Sequence, residues 1–186
     1  MHDILRFRKL YELKKIYRHN SVEGRKESVA EHVWSALMLA DYILTTSHLT
    51  LNRLRIYELL MYHDIVEIEA GDIPIHHEER RKNKQENEKK ALAKLMKDLP
   101  KEIAEKLSIL FDEFEQQKSP EAQFARAIDK LDATLHELDY KKDWEGWNEE
   151  MLRKYNEKAT SAFPQTKALF EQLVSYAKKN NYFNVN

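Results

Sequence analysis

Ser28-Val29-Ala30-Glu31-His32-Val33-Trp34-Ser35-Ala36-Leu37-Met38-Leu39-Ala40-Asp41-Tyr42-Ile43-Leu44-Thr45-Thr46 decides the fold. Val29, Val33, Ala36, Leu37, Ala40, Ile43 and Leu44 recur at the three- and four-residue steps that put side chains on one face of a helix. Ser28 and Glu31 form a capping box, each side chain satisfying a free backbone donor of the other. Working outward, the same period predicts a helix over 4–17 and, after a loop around Gly24, the helix just described. A third runs from Asn52 through His63-Asp64 toward Glu67, until Gly71 and Pro74 break it. The charge-rich segment 78–99 reads as one long helix with a solvated face, because its charges alternate in sign. Pro100 opens the next, to about Gln117. Ser119-Pro120-Glu121 combines a cap, a proline at the first helical position and an acid near the positive end. Asn148 and Pro164 open a final pair.

These elements make an all-α bundle, expected to form a single domain over 1–186. With three glycines and four prolines in 186 residues, the chain is poor in the turn residues of a β-rich protein. Lys plus Arg total 31 against 32 Asp plus Glu, a formal charge of −1, which argues against a nucleic-acid polymer as partner. There is no cysteine, so disulfides and thiolate metal sites are excluded. No segment reads as a signal peptide or a membrane span, and a cytoplasmic protein is expected.

Inside the helical stripes sit four ionisable groups: His32, His63, Asp64 and Asp129. A buried charge is costly unless compensated, and these four would compensate one another by sharing a divalent cation. Imidazole nitrogen and carboxylate oxygen suit Co, Mn, Zn, Fe or Ni, and one such ion per chain is expected. A histidine on an apolar stripe is more often a hydrogen-bonded core residue, and Asp129 alone would suit a buried lysine; it is the coincidence of four that favours the metal. Ala122, Ala125 and Ala133 flank Asp129 and allow close helix approach. Glu67 shares the face of His63 and Asp64 and reads as a proton donor or acceptor. Asp72 comes after Gly71, where it could position a water. His2, His48 and His136 read as surface or packing residues. Trp144 and Trp147, around Gly146, read as a packed connection rather than a base-stacking platform.

The ordered set His32, His63-Asp64, Glu67, Gly71-Asp72 and Asp129 resembles the HD-domain phosphohydrolase superfamily. Glu27-Ser28-Val29-Ala30-Glu31-His32, His63-Asp64-Ile65-Val66-Glu67, Gly71-Asp72-Ile73-Pro74, Phe111-Asp112-Glu113-Phe114-Glu115 and Ser119-Pro120-Glu121-Ala122 are similar to its 5′-deoxynucleotidase branch, over about 8–165. The resemblance implies a homodimeric helical bundle holding a single divalent ion, Mg among the candidates, on His32, His63, Asp64 and Asp129. It implies hydrolysis of nucleoside 5′-monophosphates, commonly the deoxy forms. Glu67 would act as acid/base, Asp72 would orient the attacking water, and Arg18, at the end of the first helix, would contact the phosphate. The bacterial enzymes carry a tryptophan after that arginine, linked to rejecting ribose; here the residue is His19. The excess of basic residues over 1–26 suits an anionic small ligand. Competing readings are a two-metal phosphodiesterase using His76 and His77, a nucleotide-sensing module that keeps its metal for stability, and a guanosine tetraphosphate hydrolase.

Overall fold

The computed structural model describes residues 2–75 and 77–184. Helix α1 (His2–Phe7) passes into a 3₁₀ stretch (Arg8–Lys15), then a hairpin of β1 (Tyr17–Val22) and β2 (Arg25–Ser28). Helices α2 (Val29–Thr46), α3 (Arg53–Tyr62), α4 (Glu67–Ala70), α5 (Glu78–Arg81) and α6 (Lys84–Asp98) come next. The rest is α7 (Lys101–Gln116), α8 (Pro120–His136), short 3₁₀ turns, α9 (Glu149–Thr160) and α10 (Pro164–Lys179). The all-α expectation holds, the antiparallel hairpin being the exception among the described residues.

Helix α8 is the centre, packed against α2, α3, α7, α9 and α10. Ala122, Ala125 and Ala127 are fully buried on it, and small side chains let five neighbours crowd one helix. The caps form as read. Ser119 Oγ accepts from Ala122 N, Asn148 Oδ1 from Met151 N, and Ser28 and Glu31 complete their reciprocal box. No described helix is long and apolar enough to cross a membrane.

Four expectations need correcting. Residues 4–17 are not one helix: α1 tightens to 3₁₀ after Phe7, and Tyr17 is already in β1. The cause is that only the middle of the stripe, Leu10, Leu13 and Ile16, finds a partner. Leu13 is buried, but Ile4, Leu5, Tyr11 and Tyr17 are more than half exposed. The supposed loop around Gly24 is the hairpin's two-residue turn. Glu23 (φ 38°) and Gly24 (φ 84°) both adopt the left-handed backbone that suits the strand twist there. The third helix stops at Tyr62, and 78–99 breaks at Lys82-Asn83.

The stop at Tyr62 changes how the next residues are presented. Through 63–66 the backbone tightens, with Ile65 N donating to Tyr62 O at 3.2 Å and Glu67 N to Asp64 O at 3.0 Å, both three residues back. His63 and Asp64 therefore leave a tight turn, not the regular helix whose 100° spacing the sequence suggested. Gly71 then ends α4 at φ 73°, ψ 157°, a conformation open essentially to glycine alone.

Candidate metal centre

Four polar atoms from α2, the turn after α3, and α8 meet in the core. His63 Nε2 lies 3.1 Å from Asp64 Oδ2 and 3.7 Å from Asp129 Oδ1. His32 Nε2 lies 3.2 Å from Asp129 Oδ1 and 3.8 Å from Asp64 Oδ2. Bonds of about 2.1 Å to one ion would set neighbouring ligand atoms about 3.0–3.4 Å apart, in octahedral or tetrahedral arrangement. The separations are close to that.

Each ring is already oriented by its other nitrogen. His63 Nδ1 donates to Leu60 O at 2.7 Å. His32 Nδ1 donates to Asp132 Oδ2 at 2.8 Å, and Ser35 Oγ donates to the same oxygen. Both Nε2 lone pairs thus turn inward, the arrangement that makes imidazole a good ligand. His63 Nε2 is buried and has no hydrogen-bond partner among the described residues, an unmet bonding capacity that a cation would satisfy. Two carboxylates around two neutral rings leave two negative charges, which two ring protons or one divalent ion balance. With protons in that role, Asp64 and Asp129 overcome the burial that opposes charge and hold the His63 ring up at about 10. Burial likewise opposes ionisation of Asp64, but His63 beside it holds that carboxyl well below the usual range.

A cavity opens against this cluster, lined among others by Asp64, Asp129, Glu67, Asp72, Arg18 and His19. Each candidate ligand, acid and phosphate contact read from the sequence of this site is therefore at the cluster or at the cavity. Glu67 is 5% exposed, and its Oε2 has no partner among the described residues. Burial first, then Asp64 and Asp72, push its carboxyl well above the usual range. Asp72 is raised as well, by burial, against the pull of Arg18. Arg18 comes from β1 rather than from the first helix, and its Nε lies 3.4 Å from Glu27. Burial opposes its charge, but Glu27, Asp64, Asp129 and Asp72 together keep it protonated.

Several participants escaped the sequence reading. Asp132, 4% exposed, orients His32; its signal was an acid one helical step from Asp129 on the same stripe. Arg81, Lys84, Arg126 and Lys130 also line the cavity. Lys84 and Glu88 pair at 3.1 Å, with Glu88 buried, so the charged segment turns part of itself inward and is solvated only elsewhere. Trp144 is buried as expected, whereas Trp147 packs edge-on against Tyr155 and also lines the cavity. His136 packs on Tyr140 and donates to Ser21 O. His77 is exposed, and His76 lies outside the described residues.

The HD domain family matches residues 10–168. The mouse 5′-deoxynucleotidase HDDC2 is 30% identical over 142 residues, 74% of this chain and 69% of that protein. The bovine 5′-deoxynucleotidase HDDC2 is 31% identical over 62% of this chain, which spans only 55% of the bovine length. A crystal structure from Magnetospirillum magnetotacticum MS-1, described as a predicted metal-dependent phosphohydrolase, superposes with a TM-score of 0.81 at 29% identity, over 97% of this chain and 93% of that one. An HD-domain phosphohydrolase from Listeria innocua shares the fold at a TM-score of 0.65 and 20% identity, over 98% and 90%. With the match running through β1, the HD turn and α8, where the converging side chains originate, the chain belongs to the HD-domain family.

Proposed function

We propose that the protein is a divalent-metal-dependent phosphohydrolase that removes phosphate from nucleoside 5′-monophosphates, the deoxy forms included. The convergence of His32, His63, Asp64 and Asp129 on one point, beside the buried Glu67 carboxyl, carries this reading. Relatives named 5′-deoxynucleotidase support the substrate class.

In this reading the four residues hold one ion. When bound, that ion would neutralise phosphate charge and make water a better nucleophile. Arg18 would clamp the phosphate dianion from the facing strand, where its guanidinium offers two parallel donors. Lys84 and Lys130 would add positive charge along the same wall. Asp72 would orient the attacking water. Glu67 would donate a proton to the departing 5′ oxygen, which then leaves as an alcohol rather than an alkoxide. His19, in the position next to Arg18, would face the sugar. The protein would act as one domain in the cytoplasm, as the sequence suggests, and as a homodimer, as the resemblance implies. The exposed Trp34, Met38 and Tyr42, four residues apart on α2, offer an apolar face for the second copy.

Phosphate release from dAMP, dGMP, dCMP and dTMP with Co²⁺ or Mn²⁺ tests the assignment. The expected result is release that depends on the added ion. Absence of release from any 5′-monophosphate, with metal content verified, would overturn it in favour of a nucleotide sensor. Two ions per chain would overturn the mononuclear form.

A further inference from the structure

A further acid, Glu137, lines the same cavity eight residues beyond Asp129, where α8 gives way to a 3₁₀ turn. At 1.5 Å per residue, α8 carries Glu137 about 12 Å along from Asp129. The hydrolytic chemistry has no use for it. Yet it is held as firmly as the residues of the metal cluster. Its carbonyl accepts from Trp144 Nε1 at 2.9 Å, and its Oε1 accepts from Asn20 Nδ2 at 3.0 Å. Besides its charged groups the cavity has amides and apolar surface, namely Asn20, which bonds Glu137, with Ala133, Trp147, Leu152 and Asn156. Such amide and apolar groups suit a flat heterocycle with a polar edge.

We propose that this end of the cavity reads the nucleobase, and that Glu137 is the residue that hydrogen-bonds its edge. The proposal rests on the nucleotidase reading above and assigns a specificity residue to it. The base end of a 5′-nucleotide lies at the far side of the sugar from the phosphate, as Glu137 lies along α8 from Asp129. Burial, and then Asp143, hold the Glu137 carboxyl up at about 8, although Arg18 opposes. A carboxyl that keeps its proton presents a donor and an acceptor side by side. Each of the four bases offers a complementary neighbouring pair on its Watson–Crick edge. A base would give the part-buried carboxyl a second partner beside Asn20, so substrates lacking a base are disfavoured.

The test compares dCMP with deoxyribose 5-phosphate, which has the same sugar and phosphate but no base. In Glu137→Ala the preference for dCMP, as a ratio of kcat/KM, is expected to fall about tenfold, through KM, the worth of roughly one hydrogen bond. In Glu137→Gln it is expected to persist, because the amide also pairs an acceptor with a donor. Equal losses on both substrates would overturn the proposal, placing Glu137 at the sugar or in the scaffold. If the wild type hydrolyses neither substrate, the nucleotidase reading fails instead. Base recognition is then read by calorimetry with deoxycytidine, where weaker binding to Glu137→Ala supports it and equal binding overturns it.

Discussion

His32 and His63 would serve one ion, but they are held in different ways. His32 sits in the first turn of α2 and takes its orientation from side chains: Asp132 grips Nδ1, Ser35 steadies Asp132, and the Ser28–Glu31 box fixes where the helix begins. His63 stands at a helix end and takes its orientation from the main chain, through Leu60 O. The His32 corner can therefore be loosened one side chain at a time. The His63 corner can be disturbed only by moving backbone, and that backbone is also what carries Glu67 to the cavity.

The largest effect should come from separating chemistry from holding at the His63 corner. Glu67→Gln keeps the shape and removes the proton. If Glu67 is the acid, turnover drops by about 10²–10⁴, while metal content measured on the purified protein stays at the wild-type value. Loss of metal would show that Glu67 is a ligand, and that this corner binds as well as positions.

Asp132→Asn attacks the other corner, and a smaller effect is expected. An amide can present its NH₂ to His32 Nδ1, which drives the ring proton to Nε2, where the ion should bind. Metal affinity should fall about 10–100-fold, the usual effect of losing such a partner. Leu60→Met, which nearly conserves volume and retains the carbonyl, should leave affinity at the wild-type level. Titration with Mn²⁺ or Co²⁺ measures both. Equal losses would erase the distinction between the corners.

The two corners also differ in how plainly the sequence announced them. Helices α2 and α8 were legible because cap, period and ligand coincide on one stripe: Ser28 with His32, Ser119 with Asp129. The turn at 63–66 was not, since its apolar residues continue a helical period and only three-back hydrogen bonds distinguish it. Arg18 could be identified by resemblance but not placed, because strand pairing between Tyr17–Val22 and Arg25–Ser28 is a non-helical contact that helical spacing cannot reveal. Asn20 and Glu137 lie 117 positions apart and meet only through tertiary packing. Lys84 was hidden in a run of alternating charges, where periodicity gives no sign of which residue turns inward. What the sequence shows well is a group whose burial comes from its own helix; groups buried by distant segments stay unseen.

The smallest effect concerns the cap that starts the His32 helix. Ser28 Oγ accepts from Glu31 N at 3.3 Å, and Glu31 Oε2 accepts from Ser28 N at 2.8 Å. Ser28→Ala should cost about 1 kcal/mol, a shift in Tm of about 3 °C for a chain of this size. Arg25, and then the Ser28 amide, lower the Glu31 carboxyl from 4.5 to about 2. A depressed carboxylate stabilises the fold above its unfolded value near 4.5, and that stability drains away as pH falls toward 2. The Tm difference between wild type and Glu31→Gln should therefore be present at pH 7, narrow below about 4.5, and shrink in high salt because the Arg25 pair is exposed. If the cap does no more than start the helix, metal affinity in Ser28→Ala should change far less than in Asp132→Asn. An equal fall would mean that the position of the first turn, rather than the carboxylate behind the ring, aims His32 at the ion.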